Sequence, residues 1–322
     1  MLIHLIFFIG SFLILWFSAN LIVDAISTLT KKISVSSFAV SFFILGILTS
    51  IPELSIGINS LINHTPALFI GNLIGASFVL YMLVIPLLAL FGGGIRLSHE
   101  MSQKTIALSL FTAIAPFLLI LDGRITRFEG FFITLMYVVL FYSIEKRKNL
   151  SEKIHDGIRI GGFKPRQIFD GKKGKAIYFV KIGIGILLLF GGSRVIVDQT
   201  NYFAHFFHIG PFFMSLLVLS IGTNLPELSI AFASLVKKNK DIAFGDYVGS
   251  AAANSLFFGI LTVINGDFTL PIQGLYRTFV IFIVGLSLFF IFTRTKKSLS
   301  RWEGAVLLLI YVLFIAVEVG MG

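Results

Sequence analysis

The sequence contains no cysteine, which excludes disulfide bonds, thiolate metal sites and cysteine nucleophiles together. Charged residues are also scarce: they make up 13% of the 322 residues, where a soluble domain has about 25%. Apolar residues instead make up 56% of the chain, and 36 of them are phenylalanine. Only an exterior that faces lipid tolerates this much apolar surface, so the composition predicts an integral membrane protein.

Ten apolar segments are long enough to cross a bilayer, which takes about 20 residues each. The first begins at Met1 without a basic leader and is too long for a signal-peptide core, so it is interpreted as a retained span. A polar stretch at 146–175 carries ten Lys or Arg residues and is interpreted as a linker. The predicted fold is all-α, with spans at about 2–26, 35–62, 66–91, 104–121, 128–145, 176–198, 209–236, 241–265, 273–293 and 302–320.

The net charge of +10 is distributed unevenly between the two faces of this ten-span arrangement. Of the 26 basic residues, 22 fall on the face that carries the linker, and four fall on the face that carries both termini. Because basic loops stay in the cytoplasm, the linker is predicted to be cytoplasmic and both termini outside, in a cell membrane. The orientation explains the basic charge, so no nucleic-acid partner is expected. The four exceptions are Arg124, Arg127, Arg194 and Arg277.

An internal repeat emerges when the sequence is aligned with itself at a shift of 174 residues. The segment T-S-I-P-E-L-S-I at 49–56 then aligns with T-N-L-P-E-L-S-I at 223–230, and R-F-E-G at 127–130 with R-W-E-G at 301–304. Between 41 and 61, eleven of 21 positions are identical. Similarity among apolar helices alone would not preserve Pro, Glu and Arg at one spacing, so the chain is interpreted as a duplication.

The two repeats are predicted to cross the membrane in opposite directions. Each holds five spans, an odd number, so the second repeat starts from the other face. Inverted repeats are typical of transporters, which bind their substrates at the midplane between the repeats. The predicted organisation is a first repeat at 1–145, the linker at 146–175 and a second repeat at 176–322.

Glu53 and Glu227 lie in the middle of the second and seventh spans at equivalent positions, each directly after a proline. A charged side chain there costs about 2.5–3.5 kcal/mol on insertion scales, so intramembrane carboxylates are candidates for function. The alternative is a protonated glutamate that only holds two helices together by a hydrogen bond. Its recurrence in both repeats makes that alternative the weaker interpretation.

The neighbours of these glutamates are rich in oxygen. Thr49 and Thr223 precede them by four residues and therefore share their helix faces. Pro52 and Pro226 remove backbone donors, which is expected to free the carbonyl groups of the residues four positions earlier. Carboxylate, hydroxyl and carbonyl oxygens are the ligands of hard cations such as Ca²⁺. The same faces continue to Ser60 and Ser234, and the freed carbonyl groups would be those of Leu48 and Gly222.

The third and eighth spans contain G-N-L-I-G at 71–75 and G-D-Y-V-G at 245–249, where small residues four apart permit close helix packing. In the eighth span a polar stripe with four-residue steps follows, whereas the third span has lost two of its polar groups. The stripe is Asp246, Ser250 and Asn254, and its equivalents are Asn72, Ala76 and Leu80.

These motifs resemble those of the sodium/calcium exchanger family, whose repeats usually read G-T-S-x-P-E and G-N-x-x-G-S-N-x-x-N, with a final Asp in the second repeat. Here they read I-L-T-S-I-P-E at 47–53, G-N-L-I-G-A-S-F-V-L at 71–80, G-T-N-L-P-E at 222–227 and G-D-Y-V-G-S-A-A-A-N at 245–254. The resemblance covers essentially the whole chain. It implies a transporter of inorganic cations with ten helices, neither an enzyme nor a protein with a cofactor.

The resemblance also implies a set of cation ligands. Glu53 and Glu227 would coordinate a central Ca²⁺ together with oxygens of Thr49 and Thr223. Flanking Na⁺ sites would be lined by Ser50, Asn224, Ser250 and Asn254, and further candidates are Ser77, Asn72 and Asp246. Three positions depart from the family pattern: Leu80 replaces an amide ligand, Ala76 replaces a serine, and Asn254 stands where an Asp is common.

The leading hypothesis is therefore antiport of Ca²⁺ against Na⁺ by alternating access. The same fold with H⁺ as the coupling ion or with another divalent cation is a second hypothesis, and a transport-inactive regulatory membrane protein is a third. An intramembrane aspartyl protease is disfavoured, because a duplicated Glu has no role there and Ala243 breaks the expected G-x-G-D.

The uneven distribution of basic residues makes the topology testable. A reporter fused after Gly322 should be active outside the cytoplasm, and labels in the linker at 146–175 should react only from within. A cytoplasmic C-terminal reporter would contradict the ten-span arrangement.

Overall fold

The computed structural model describes residues 1–29, 42–43, 46–96, 102–151, 172–237, 240–270, 274–294 and 298–319. This part of the chain is largely helical, as the apolar sequence predicts. The α-helices are α1 (Leu2–Leu29), α2 (Gly46–Thr49), α3 (Ile51–Ile62), α4 (Pro66–Val79), α5 (Ile85–Gly92), α6 (Gln103–Leu119), α7 (Arg127–Ser151), α8 (Lys172–Phe206), α9 (Pro211–Met214), α10 (Ser220–Thr223), α11 (Leu225–Lys237), α12 (Lys240–Asn265), α13 (Leu275–Arg294) and α14 (Arg301–Val319).

Short non-α elements join some of these helices. Two π-helical segments, Leu80–Val84 and Ser215–Leu219, connect α4 to α5 and α9 to α10. A 3₁₀ turn, Ile120–Asp122, follows α6. Four two-residue strands lie in loops: β1 (Ile95–Arg96), β2 (Arg124–Ile125), β3 (Phe268–Thr269) and β4 (Ser298–Leu299).

Nine helical stretches within the described ranges are long and apolar enough to cross a membrane, and the predicted fold class is confirmed. The described part of the predicted span 35–62 is residues 42–43 and 46–62, where α2 and α3 are separated at Ser50. Both the second and the seventh predicted spans are broken two residues before their prolines, at Ser50 and Asn224.

The helices on either side of the predicted linker are longer than the predicted spans. α7 continues to Ser151, and α8 runs from Lys172 to Phe206. Hydropathy marks the part of a helix that lies in lipid, and polar residues extend a helix beyond it at no cost. Residues 152–171 of the predicted linker lie outside the described ranges.

α1 and α8 pack against each other as an antiparallel pair. Asp24 near the end of α1 approaches Lys181 near the start of α8, with 3.6 Å between Oδ2 and Nζ. At the other end, His4 Nδ1 lies 2.7 Å from Gln199 Oε1. Gly185 of α8 lies against the backbone of α1, because small residues let the two helices approach. Buried apolar side chains of the pair form a second hydrophobic cluster together with residues of α3, α4 and α9.

The two repeats interlock. α12 of the second repeat packs on α4 and α7 of the first, and α14 packs on α5. The loops are joined by two antiparallel strand pairs, β1 with β4 and β2 with β3. Each pair contains one strand from each repeat, so loops that the ten-span topology places on the same face are held together on that face.

The R-x-E-G motifs at 127–130 and 301–304 begin α7 and α14 in the same way. Thr126 Oγ1 accepts a hydrogen bond from the backbone N–H of Glu129, and Glu129 Oε2 accepts one from the backbone N–H of Thr126. Ser300 and Glu303 repeat these two hydrogen bonds. Such reciprocal bonds form a capping box. The repeat of these residues therefore reflects helix initiation rather than ion binding.

The glycine of each R-x-E-G motif allows a close helix crossing. A Cβ at Gly130 would lie 2.8 Å from the carbonyl oxygen of Gly259 in α12, and a Cβ at Gly304 would lie 2.9 Å from that of Pro86 in α5. Backbone atoms cannot move aside as a side chain can. Gly191 of α8, by contrast, has open space around it.

These contacts predict opposite effects of the same substitution. Gly130→Ala and Gly304→Ala should each destabilise the protein, by about 1–3 kcal/mol as in overpacked cores, and lower the thermal unfolding midpoint in detergent. Gly191→Ala is the matched control and should leave the midpoint unchanged or raise it, because Ala is the better helix former. Equal midpoints for all three variants would contradict the close crossings.

Candidate functional site

Each repeat contains one broken helix, and the two breaks are equivalent. Ser50 separates α2 from α3 with φ −86° and ψ 10°. Asn224, its equivalent at the 174-residue shift, separates α10 from α11 with φ −84° and ψ 11°. The prolines follow two residues later, in the first turn of the new helix, where no backbone donor is needed. Glu53 and Glu227 therefore lie in the first turns of α3 and α11.

In the second repeat, the carbonyl group that Pro226 was predicted to free already has a backbone partner. The carbonyl of Gly222 accepts from the backbone N–H of Asn224 at the break. That oxygen is shared with the backbone, because the helix ends there instead of kinking through the proline.

Glycines bring the broken helices into contact with the opposite repeat. A Cβ at Gly46 of α2 would lie 2.5 Å from the carbonyl carbon of Gly249 in α12. The equivalent contact joins Gly75 of α4 to Ser220 of α10, where a glycine Cβ would lie 2.8 Å from the serine Cβ. A larger residue at Gly75 or Gly249 would separate the helices that bear the polar residues, and this explains the small-residue motifs.

Both glutamates are buried: Glu53 is 1% exposed and Glu227 is 0% exposed. Each lies beside a threonine of the other repeat, Glu53 beside Thr223 and Glu227 beside Thr49. The two carboxyl groups also interact with each other electrostatically, and Asp246 interacts with Glu227. We call Glu53 and Glu227 the Glu pair. The structure thus brings the two halves of the predicted site together.

The predicted polar ligands are connected by hydrogen bonds that cross between the repeats. Thr49 Oγ1 lies 2.7 Å from Ser250 Oγ, and Thr223 Oγ1 donates to Asn72 Oδ1 at 3.3 Å. Ser50 Oγ donates to the Ser250 carbonyl at 3.3 Å.

The amide of Asn224 makes the equivalent bond in the other repeat, donating to the Ala76 carbonyl at 3.5 Å. Because 50 and 224, and 250 and 76, are equivalent positions, the two repeats contact each other in the same way across a pseudo-two-fold axis.

Ser77 lies close to this axis: its hydroxyl is 3.1 Å from the Leu73 carbonyl of its own helix and 3.3 Å from the carbonyl of Ala251, its own equivalent. Ser60 does not join the group: its hydroxyl donates to the Ile56 carbonyl of its own helix at 2.9 Å. The side chain of Ser234 lies outside the described part of the structure.

Unpaired polar atoms are concentrated around the Glu pair and the polar residues that join the two repeats beside it, a region that we call the centre. Among the described residues, twelve buried side-chain nitrogen or oxygen atoms have no hydrogen-bond partner, and eight of them belong to six predicted site residues. Buried polar groups in proteins almost always have a partner, so such a cluster calls for an explanation. The six residues are Glu53, Asn72, Asn224, Glu227, Asp246 and Asn254.

The centre is chemically asymmetric. Leu80 and Ala76 are both fully buried and place apolar side chains where the second repeat has Asn254 and Ser250. Leu80 also begins the π-helical segment Leu80–Val84, whereas the equivalent stretch of α12 is an ordinary α-helix. π-Turns are often found at functional sites. The first repeat therefore offers fewer side-chain oxygens than the second.

Tyr247 also lies at the centre, although it was not among the site residues predicted from the sequence. It is fully buried, and its hydroxyl donates to the backbone carbonyl of Glu227 at 3.3 Å. The equivalent residue is Leu73, so the repeat gave no signal for it. Its position directly after Asp246 was the one available indication.

The oxygen atoms at the centre suit a hard cation, and few of them belong to negatively charged groups. Carboxylate, amide, hydroxyl and carbonyl oxygens are the ligands of Ca²⁺ and Na⁺. No group of three or more His, Cys, Asp or Glu residues able to hold a metal occurs in the part of the chain that the structure describes. The charge comes from the Glu pair with Asp246 nearby, and neutral oxygens complete the set.

The sequence profile of the family described as sodium/calcium exchanger protein matches residues 3–144 and 177–320. Among relatives, the inner membrane protein YrbG of Escherichia coli is 25% identical over 242 residues, which cover 75% of this chain and 74% of that protein. The sodium/calcium exchanger MaX1 of Methanosarcina acetivorans is 24% identical, with 92% of each chain covered. A solved structure of the sodium-calcium exchanger NCX_Mj superimposes with a TM-score of 0.65 at 20% identity, over 97% of each chain, and shows the same fold.

Proposed function

Because the chain belongs to the sodium/calcium exchanger family, we propose that it is a secondary antiporter that exchanges Ca²⁺ for Na⁺ across a cell membrane by alternating access. The observation that carries the proposal is the group of eight unpaired polar atoms around the Glu pair. A bound cation would satisfy their oxygens, which otherwise remain desolvated in the bilayer.

The Glu pair would bind the divalent cation, since two carboxylates balance its charge. Thr49 and Thr223 are the last residues of the helices that precede the two breaks, and they contribute hydroxyl oxygens. These hydroxyls already lie beside the glutamates. Na⁺ would compete for the same carboxylates from flanking positions. We assign those positions to Ser50, Asn224, Ser250 and Asn254, with Ser77, Asn72 and Asp246 as further ligands.

Exchange requires the Glu pair to become accessible from each face in turn. The cross-repeat hydrogen bonds of Ser50 and Asn224 are equivalent, so each repeat can adopt the conformation of the other. This is the basis of alternating access in inverted-repeat transporters. We propose that the repeats comprise residues 1–145 and 176–322, with the linker cytoplasmic and both termini outside.

A second candidate function keeps the fold and uses H⁺ as the coupling ion, or another divalent cation. It is favoured by the apolar side chains of Ala76 and Leu80 at the centre. Na⁺ binding depends on neutral oxygens more than divalent binding does, so their loss weakens the Na⁺ positions first. Uptake of Ca²⁺ into proteoliposomes under an outward Na⁺ gradient, compared with an outward H⁺ gradient, separates the two candidates.

The Glu pair should be essential for flux. Glu53→Gln and Glu227→Gln should each reduce Ca²⁺ uptake by at least about tenfold, because each removes half of the charge that balances the divalent cation. Thermal unfolding should show that the variants remain folded. Wild-type flux in either variant would remove that residue from the site.

Two controls test whether burial alone explains such a loss. Glu318 is a buried carboxylate outside the centre whose partner is the Thr278 hydroxyl, and Ser60 bonds only its own helix. Glu318→Gln and Ser60→Ala should leave the ion dependence of uptake unchanged.

Because Leu80 offers no oxygen ligand, we expect the Na⁺ dependence of Ca²⁺ uptake to be weak in the wild type. Leu80→Asn, alone or with Ala76→Ser, restores oxygens on the poorer side and should increase Na⁺ affinity or the steepness of the Na⁺ dependence. Ca²⁺ uptake measured against Na⁺ concentration gives both quantities.

Leu80→Ala is the matched control, because it shortens the side chain without adding an oxygen. It should not increase Na⁺ affinity. A wild type with steep Na⁺ dependence that these substitutions leave unaltered would refute the interpretation of Leu80.

A further inference from the structure

A polar stripe outside the ion-binding centre joins α3 to α8. Ser55, Asn59 and Asn63 follow each other at four-residue steps and so lie on one face of α3 and its C-cap. Ser55 Oγ lies 2.7 Å from Ser193 Oγ, and Asn59 Nδ2 donates to Ser193 Oγ at 2.7 Å. Asn63 Nδ2 donates to Asp198 Oδ1 at 3.1 Å.

The inner part of this stripe is buried in apolar surroundings. Ser55, Asn59 and Ser193 are 2%, 6% and 0% exposed. They lie next to Leu189 and Ile56, which belong to the hydrophobic cluster of α1 and α8. Unpaired polar side chains are costly in apolar surroundings, so these hydrogen bonds favour the packing of α8 on α3.

The second repeat differs at two of the three inner positions of this stripe. The equivalents of Asn59 and Ser193 are Ala233 and Ala19. Ser229, the equivalent of Ser55, donates to the Leu225 carbonyl of its own helix. Alanine side chains cannot form hydrogen bonds, so the Asn59–Ser193 and Ser55–Ser193 bonds have no counterpart at these equivalent positions of α11 and α1.

The stripe also lies on one side of the Glu pair. Glu53 is in the first turn of α3, and Ser55, Asn59 and Asn63 run from there to the end of that helix. α8 starts at the linker end, and Ser193 and Asp198 lie toward its opposite end. The stripe therefore runs along α3 from Glu53 toward the face remote from the linker.

We infer that Ser55, Asn59 and Ser193 form a hydrogen-bonded lock that holds α8 against α3, shuts the linker-remote approach to the Glu pair and must open in each transport cycle. The inference rests on the proposed antiport function, which requires the centre to open to each face. Because alanines replace Asn59 and Ser193 in the second repeat, the protein rests with the linker-remote approach shut.

Interhelical hydrogen bonds in membranes are weak enough to break during a cycle. One to three of them shift the balance between the shut and open states by about 3–20-fold. The lock is thus strong enough to set the resting state and too weak to prevent exchange.

The absence of cysteine allows a direct test by disulfide trapping in the full chain. Ser55→Cys/Ser193→Cys places two thiols where the hydroxyl oxygens are 2.7 Å apart, so oxidation should form a disulfide. Ca²⁺ flux should then fall at least tenfold and recover on reduction. Arg124→Cys/Thr269→Cys joins cross-strand neighbours away from α3 and α8, and its oxidation should leave flux unchanged. A verified Ser55–Ser193 crosslink without loss of flux would overturn the lock, as would thiols that fail to crosslink in a folded protein.

A second measurement does not depend on transport. Leu189 is buried next to the lock, so Leu189→Cys reports opening through its reaction with a membrane-impermeant thiol reagent applied to the linker-remote face. Adding Asn59→Ala/Ser193→Ala, which copies the second repeat, should speed labelling about 3–20-fold, whereas adding Ser60→Ala should not. Equal rates would overturn the lock. Faster labelling in a protein that moves no cation under any gradient would instead refute the antiport function and leave the lock in place.

Discussion

Two carboxylates placed together in the centre of an apolar helix bundle are the constraint on which the rest of this structure depends. Within the described part of the chain, neither Glu53 nor Glu227 forms an ion pair with a basic side chain. Burying such charge is expensive unless it is compensated. No basic side chain in that part compensates it, and the amide groups of Asn72, Asn224 and Asn254 around the carboxylates also have atoms without partners. The centre is therefore arranged for a charge that arrives from outside.

The duplication supplies the means to build this centre. One broken helix with a proline and a glutamate gives half a site, and a second copy in the opposite orientation completes it. Glu53 lies beside Thr223, and Glu227 lies beside Thr49, so neither repeat holds a complete set of neighbours for its own glutamate. The differences between the copies, at Leu80 and in the Ser55–Asn59–Ser193 lock, are then the places where the two faces of the membrane are treated unequally.

The sequence was sufficient for the helices, the repeat and the Glu pair, because each leaves a strong local signal: long apolar runs, a constant 174-residue shift, and carboxylates within those runs. It did not reveal how each polar group is paired. Tyr247 has no polar equivalent in the other repeat, and the bond of Asn59 to Ser193 joins residues 134 positions apart. The breaks at Ser50 and Asn224 were not predicted, since a proline alone does not show whether a helix bends or ends. α8 extends past its predicted span because hydropathy follows lipid contact and not backbone hydrogen bonding.

The paired strands make each repeat depend on the other. In the part of the chain that the structure describes, β1 pairs with β4 and β2 with β3, so each ladder needs one strand from each repeat. A single repeat would leave both of its strands as open edges and its crossing glycine, Gly130 or Gly304, without a helix to receive it. Two identical copies in opposite orientations would satisfy every one of these contacts. Neither repeat can therefore complete its loops or its helix crossings alone, and the fold is finished only when the two pack in opposite orientations.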